Sequence, residues 1–282
     1  MKLVLPALAG KQLRELRQSI GGSYLIVGPP ASGKFQTVLA LGAEIISHPA
    51  DLLVIEPHPD SIGIDQIHQL VQQVALRPVG QRRLVVIRDA EKMTHEAQNA
   101  LLKTLEEPPQ STAIVLTANE RQRLLATIQS RCQTIAYAPL AEAAIAEHLQ
   151  AQFKLSAPAA ATLAEVSQGA IGLAVQLAQD ADLAASYDRQ IEQVRVLLDP
   201  KASRYQKLQL IGQIDNLPDL QRFLALVVYR LERLLRQAAS SQSRRDICDY
   251  NRHLQTCERL LGYLQGNGNV KLAITQLVLE FS

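Results

Sequence analysis

Gly28-Pro29-Pro30-Ala31-Ser32-Gly33-Lys34-Phe35 is the stretch that decides the fold. It follows the apolar run Tyr24 to Val27 and precedes a helical pattern from Gln36 to Ile46. Strand, glycine-bounded loop and helix in this order indicate a phosphate-binding loop (P-loop), where backbone N–H groups and a helix N-terminus converge on one anion. Lys34 would add a cation for the terminal phosphates. The motif requires Ser or Thr at its last position, where the hydroxyl binds Mg²⁺, and this chain has Phe35.

The composition narrows the class of protein. The chain has 282 residues, of which 47% are hydrophobic, and a formal net charge of +2, which is too small to indicate nucleic-acid binding by itself. Its three cysteines form no CxxC pair, so we expect a cytoplasmic protein with neither structural zinc nor disulfides. The apolar run at residues 1–6 is too short for a signal peptide, and no stretch has the length of a membrane span.

The first half of the chain alternates apolar runs with helical patterns. A short amphipathic helix is predicted over residues 10–20. Strands are predicted at 23–27, 52–55, 84–87, 113–116 and 134–137, and helices at 34–47, 64–76, 94–105 and 121–128. This alternation predicts an α/β fold with a five-stranded parallel sheet covered on both faces. Ligand-binding residues are then expected at the carboxyl ends of the strands.

The second half contains no convincing strand after Pro139. Residues 140–180 have the pattern of three short helices, with breaks near 156–158 and 168–169. Longer helices follow from about residue 183. We therefore predict an α/β core at 1–138, a small helical domain at 139–180 and an all-α domain at 181–282.

Polar residues at two strand ends are candidate ligands of a nucleotide. Asp89 follows the third strand, where a carboxylate would reach Mg²⁺ through water, although a helix N-cap is an equally open interpretation. The acid that should follow it, to polarise an attacking water, is replaced by Ala90, and Glu91 is expected to point elsewhere. At the end of the fourth strand either Ala118 or Asn119 would contact the phosphates, and Asn119 is favoured because it is polar.

Two further stretches are the most specific in the sequence. They are Asn99-Ala100-Leu101-Leu102-Lys103-Thr104-Leu105-Glu106-Glu107-Pro108-Pro109 and Thr127-Ile128-Gln129-Ser130-Arg131-Cys132. With them, the first 180 residues resemble the clamp-loader subunits of bacterial DNA polymerase III, which are members of the AAA+ superfamily. The resemblance implies a P-loop AAA+ domain, a helical lid and a C-terminal collar. It also implies that Arg131 is an arginine finger for a neighbouring subunit, and the alternative is an ordinary surface or ion-paired arginine.

The lid and the zinc module of that family are altered here. The family's lid motif carries an Arg that senses the nucleotide, and this chain has Gly172 at that position. A packed helix start is the alternative interpretation of this segment. Family members often carry a four-cysteine zinc module after the first helix. Residues 46–64 contain no cysteine, so no zinc is expected.

The substitutions at Phe35, Ala90 and Gly172 together remove a Mg²⁺ ligand, the water-activating acid and a lid sensor. The phosphate-binding residues remain, namely Gly28, Gly33 and Lys34. This combination resembles the delta-prime subunits of the family. It implies a chain without intrinsic ATPase activity that binds ATP or ADP without turnover, if it binds nucleotide at all. Its partners would be an ATPase subunit and a clamp-opening subunit in a ring that loads a sliding clamp on primed DNA.

Two other functions stay open at this point. A working ATPase, like the gamma/tau motor subunit of the same machine, would need a metal site despite Phe35 and Ala90. A DNA-binding module would use the basic turn at residues 77–83, which is otherwise a solvated loop. The small net charge argues against the second function.

Overall fold

The computed structural model describes residues 21–240, 243–266 and 268–281, so the helix predicted over 10–20 lies outside the described residues. The chain divides into two compact units, Met1–Gln176 and Leu177–Ser282. The three short helices predicted over 140–180 begin in the first unit, and the division falls within the last of them.

The first unit is built on a five-stranded sheet, as predicted. Its strands are β1 (Gly22–Val27), β2 (Leu52–Ile55), β3 (Arg83–Ile87), β4 (Thr112–Ala118) and β5 (Gln133–Ala136). They lie in the order β2-β3-β4-β1-β5, and every pair is parallel. β1 lies between β4 and β5, so the loop after it leaves the sheet between the ends of these two neighbours.

In the described part of the first unit, seven α-helices begin. They are α1 (Lys34–Ile45), α2 (Ile64–Ala75), α3 (His95–Glu106), α4 (Ala126–Arg131), α5 (Glu142–Phe153), α6 (Ala157–Val166) and α7 (Ile171–Gln179). Side chains of successive strand residues point to opposite faces. Accordingly, Leu25 packs with α2, α3 and α4, whereas Tyr24 and Ile26 pack with α1. Both faces of the sheet are therefore covered, which explains why the strand sequences are almost continuously apolar.

One predicted helix is wrong in its bounds. Residues 121–128 do not form a single helix, because Arg121–Arg123 make a 3-10 turn, Leu124 and Leu125 are extended, and α4 starts at Ala126. The shift has a consequence for the candidate site, since Arg131 becomes the last residue of α4.

The basic turn at residues 77–83 is only partly a surface feature. Arg83 is buried and donates to the carbonyls of Gln73, Leu76 and Arg77 at the end of α2. It also pairs with the buried Asp51, at 3.5 Å. The Asp51 carboxylate in turn accepts from the N–H groups of two turn residues. One of the turn's three arginines is therefore a structural residue.

The second unit is entirely helical in its described residues, as predicted. Its helices are α8 (Ala181–Leu198), α9 (Arg204–Ile211), α10 (Leu217–Ser240), α11 (Arg244–Gln265) and α12 (Val270–Glu280). They share one core, in which Phe223 and Leu224 are fully buried. The buried Lys207 donates to the carbonyl of Phe281, at 2.8 Å, which satisfies an acceptor at the end of α12. None of the described helices has the length and apolar character needed to cross a membrane.

Candidate functional site

The carboxyl ends of β1, β3 and β4 form one wall of a cleft. Val27 pairs with Ala118, and Ile87 pairs with Leu116, so the residues that follow these strands lie side by side. The cleft has a volume of about 390 Å³. Its walls are the P-loop and the start of α1, the strand-end residues Arg88, Asp89 and Asn119, and residues of α5 and α7.

The P-loop has the backbone geometry that an anion site needs. A side chain at position 28 would collide with the carbonyl of Tyr137, so Gly28 is required there. Gly33, the N-cap of α1, has a φ of 87°, and Ala31 has a φ of 53°. Ser32 is 1% exposed and lines the cleft, yet its hydroxyl has no hydrogen-bond partner in the part of the chain that the structure describes. A buried hydroxyl without a partner is costly, so this loop carries a donor that a ligand would satisfy.

Lys34 is buried at the base of the cleft. Its ammonium group donates to the carbonyls of Gly28 and Pro29, both at 3.1 Å, and to Oδ1 of Asn119 at 2.7 Å. Burial lowers the pKa of Lys34, and the carboxylates of Asp89 and Glu91 offset part of that effect. An ammonium group has three N–H donors, so a phosphate would have to take the place of one of these bonds.

Asn119, and not Ala118, reaches Lys34. Ala118 is fully buried in the sheet. Glu91 accepts from the backbone N–H of Asn119 at 3.0 Å and from its side-chain amide at 2.6 Å. These bonds fix the amide so that its oxygen faces Lys34. Glu91 is not among the described residues that line the cleft, but its Oε1 positions a residue of the cleft, which the sequence did not indicate.

A guanidinium group stands beside the residue that replaces the metal-binding hydroxyl. The carbon of the Arg88 guanidinium lies 5.0 Å from the centroid of the Phe35 ring, which is a cation–π contact. Arg88 also pairs with Asp89 at 3.6 Å and with Glu56 at 2.7 Å. Asp89, with a φ of 48°, is the N-cap residue of the 3-10 turn Ala90–Lys92, but its side chain makes no capping hydrogen bond. The sequence analysis missed Arg88, although it directly precedes Asp89.

These residues do not fit Mg²⁺, the metal that P-loop enzymes use. Phe35 supplies no oxygen, and the Asp89 carboxylate is neutralised by Arg88. Thr37 offers no replacement, because its hydroxyl is hydrogen-bonded to that of Tyr137 at 2.8 Å. Within the described ranges, no group of three or more His, Cys, Asp or Glu residues is placed to hold a metal ion.

Gly172 brings α7 against the P-loop. Its N–H donates to the carbonyl of Ala31 at 2.8 Å. A Cβ atom at position 172 would lie 2.7 Å from that same oxygen, which is closer than ordinary contact allows. A Cβ atom at position 33 would likewise lie 2.8 Å from Cγ2 of Ile171. An arginine at position 172 would therefore displace the start of α7. The glycine allows α7 to approach the P-loop closely, and it also leaves the site without the positive charge of an arginine.

Arg131 lies outside the cleft, since it is not among the described residues that line it. Nε and Nη2 both contact Oε2 of Glu106 at 2.9 Å, and Nη1 donates to the carbonyl of Thr127 at 3.1 Å. A guanidinium group has five N–H donors. Two donors thus stay available on a side chain that is 31% exposed and held at both ends of its fork.

Two glutamines fix the turn before α4. Gln98 directly precedes the specific stretch 99–109, and Gln129 lies within the stretch 127–132. Gln98 accepts from the N–H of Leu125 at 2.9 Å. Gln129 donates to the carbonyls of Arg121 and Leu124 at 2.9 and 2.8 Å. Cys132, next to Arg131, is buried as expected, and burial raises the pKa of its thiol to about 12, so it is not a reactive thiolate.

The chain is similar to clamp-loader subunits. Residues 43–141 match the family described as DNA polymerase III, delta subunit. The chain is 32% identical to the DNA polymerase III subunit delta' of Bacillus subtilis over 64% of its own length and 61% of that protein. It is 38% identical to the subunit delta' of Pseudomonas aeruginosa over 45% of its own length and 39% of that protein. The resemblance drawn from the motifs is thereby confirmed, although the chain spans only about two fifths to three fifths of these relatives.

A solved structure shows the same fold over nearly the whole chain. It is the DNA polymerase III gamma subunit-related protein of Thermotoga maritima, with a TM-score of 0.57 and 22% sequence identity. The match covers 97% of this chain and 98% of that one. The predicted fold, an α/β core with a five-stranded parallel sheet followed by helical parts, is therefore confirmed.

Proposed function

We propose that this chain is a non-hydrolysing, delta-prime-like subunit of a DNA polymerase III clamp loader, acting in DNA replication in the cytoplasm. The observation that carries the proposal is that the described part of the first unit has a P-loop cleft without a metal site and, outside that cleft, an arginine with available donors. The cleft retains the phosphate-binding loop but holds Arg88 and Phe35 where a metal would be bound. The arginine of the specific motif stands outside the cleft with two donors available.

The cleft lacks the groups that hydrolysis requires. Phosphoryl transfer in P-loop enzymes depends on Mg²⁺ bound by a hydroxyl and an acid, and on a residue that orients the attacking water. Here Phe35 and Ala90 occupy two of those positions, and Glu91 is engaged with Asn119. The site therefore supports binding of ATP or ADP without turnover.

Arg131 is suited to act in trans on a neighbouring ATPase subunit. Arginine stays charged and its planar fork matches phosphate oxygens. Because Glu106 and Thr127 fix the guanidinium group, little rotamer freedom would be lost when it meets a phosphate. The helices α8–α12 would form the collar of a hetero-oligomeric ring that also contains a clamp-opening subunit. That ring would open a sliding clamp and place it on primed DNA.

The test is reconstitution with the ATPase and clamp-opening subunits. Arg131→Ala should remove about 10³-fold in rate at the adjacent ATPase site, so the DNA-stimulated hydrolysis of the complex falls by at least that site's share. Arg123→Ala is the matched control, since Arg123 is an exposed arginine that pairs with the exposed Glu120 at 3.0 Å. A complex with Arg131→Ala that hydrolyses ATP at the wild-type rate would show that the finger assignment is wrong.

The isolated chain provides a second test. We expect it to show no DNA-stimulated ATP hydrolysis above that of a Lys34→Ala variant. Turnover that depends on Lys34 would instead support a working motor subunit.

A further inference from the structure

We propose that the cleft binds a nucleoside diphosphate without Mg²⁺, and that the guanidinium group of Arg88 supplies the positive charge that the metal supplies in P-loop enzymes. The inference rests on the proposed non-hydrolysing cleft and goes further, because it assigns a ligand class and a metal-free mode of binding. It starts from the misfit between Mg²⁺ and the residues Phe35, Arg88 and Asp89.

The phosphate end of the site is complete without a metal. The N–H groups of the first turn of α1 have no partners within the helix, and Gly33 provides no side-chain cap. The hydroxyl of Ser32 adds a buried donor that lacks a partner and faces the same cleft. Lys34 supplies a cation at the base of the cleft. Its hydrogen bond to Oδ1 of Asn119 would be replaced by one to a phosphate oxygen.

Arg88 occupies the side of the cleft where the metal ligands of a P-loop enzyme would be. The Phe35 ring and the Asp89 carboxylate hold its guanidinium group on that side, and Glu56 holds it from the outer rim. Three contacts leave N–H donors of the guanidinium fork available for phosphate oxygens. By neutralising Asp89, Arg88 also removes the repulsion that this carboxylate would exert on an anion.

The charge of the cleft favours a diphosphate over a triphosphate. Lys34 and Arg88 bring two positive charges. The carboxylates of Asp89 and Glu56, which pair with Arg88, and of Glu91, which lies near Lys34, already offset them. A triphosphate adds about one further negative charge, which Mg²⁺ normally balances and which these two side chains do not.

The other end of the cleft suits a nucleoside. Ile171 of α7 lies against Gly33 of the P-loop, and one helical turn further along Val175, together with Gln176 and with His148 of α5, adds a partly apolar stretch to the wall of the cleft. A volume of about 390 Å³ lies in the range of sites for small organic ligands. The cleft therefore combines an anion-binding end with an apolar end, as a nucleoside diphosphate requires.

The experiment is calorimetric titration of the full chain with ADP in EDTA and again in excess Mg²⁺. We expect the two dissociation constants to agree within about twofold, and ATP to bind more weakly than ADP in EDTA. Mg²⁺ that tightens ADP binding about tenfold or more would overturn the proposal. The absence of ADP binding in both buffers, by a chain that melts cooperatively, would overturn it as well.

Variants separate Arg88 from the general basicity of the chain. Arg88→Gln should weaken ADP binding in EDTA about tenfold, and the Phe35→Thr/Arg88→Gln double variant should bind ADP more tightly when Mg²⁺ is added. Arg77→Gln is the matched control and should bind ADP like wild type. Arg77 is an exposed arginine of the turn before β3, so it lies at the amino ends of the strands, away from the cleft at their carboxyl ends. Wild-type affinity of Arg88→Gln in EDTA would overturn the role of Arg88. The reconstitution test of Arg131 does not depend on these titrations, so either proposal can fail alone.

Discussion

Replacing Gly172 by Ala tests whether α7 is docked on the P-loop. The added methyl group would lie 2.7 Å from the Ala31 carbonyl oxygen and 3.3 Å from the carbonyl carbon. The start of α7 must move away to accommodate it, and the bond from the Gly172 N–H to Ala31, at 2.8 Å, is lost. This substitution changes one methyl group and no charge, so its effect reports on the contact alone.

The expected cost of Gly172→Ala follows from three contributions. Overpacking a close contact costs about 2 kcal/mol, and the lost hydrogen bond costs about 1 kcal/mol. Alanine regains about 1 kcal/mol over glycine within a helix. The net cost is about 2 kcal/mol, which corresponds to about thirtyfold faster hydrogen exchange of the residue 172 amide if α7 opens locally.

The assay is hydrogen exchange across the first unit, with Gly262→Ala as the control. Gly262 lies in α11, and no atom lies within 4 Å of a Cβ built on it. That substitution should therefore stabilise the second unit by about 0.5–1 kcal/mol. If Gly172→Ala leaves exchange at residue 172 unchanged, or slows it as the control substitution does locally, the close approach of α7 to the P-loop is refuted.

Three further predictions concern other contacts. Burial alone would raise the pKa of the Asp51 carboxyl, but the hydrogen bonds that it accepts from two backbone N–H groups, together with Arg83, outweigh burial and lower that pKa. The ionised carboxylate therefore stabilises the fold at neutral pH, and this stability is lost as the pH falls through the lowered pKa. Asp51→Asn should therefore cost about 3 kcal/mol in urea unfolding at neutral pH, with a deficit that shrinks below about pH 4. Arg131→Lys should reduce DNA-stimulated hydrolysis almost as far as Arg131→Ala, because an ammonium group lacks the fork that serves two protein acceptors and a phosphate together. Lys207→Ala should destabilise the second unit by about 2–4 kcal/mol in denaturant unfolding, since it opens a cavity and strands the Phe281 carbonyl, and it should leave ADP binding unchanged.

The sheet and its order of elements were accessible from the sequence because they depend on local pattern. Five apolar runs separated by helical periodicity leave few arrangements other than a covered parallel sheet. The placement of Asp89 and Asn119 at one edge follows from the same rule. The division of residues 121–128 was not accessible, because it depends on Gln98 accepting from Leu125, a contact between segments 27 residues apart.

The side-chain contacts within the site escaped the sequence analysis for a different reason. Glu91 and Glu106 carry no motif of their own here, and their roles follow from the distance to Asn119 and Arg131. Gly172 illustrates the limit most clearly. The sequence shows only that a glycine stands where the family has an arginine. The structure shows in addition that no side chain fits at position 172 while α7 contacts the P-loop.

Arg88 contacts both Phe35 and Asp89 in the cleft. No single substitution at one of these positions should therefore rebuild a metal site. A hydroxyl restored at position 35 would still face Arg88, whose guanidinium group neutralises Asp89 and competes with any cation for that carboxylate. Removing Arg88 alone would leave Asp89 as an unbalanced negative charge beside an apolar ring, which disfavours anions without binding Mg²⁺. Neither change moves α7, because the Gly172 contact with Ala31 involves backbone atoms only. Phe35, Arg88 and Asp89 thus support one another, as a binding site would require, whereas the close approach at Gly172 is a separate change.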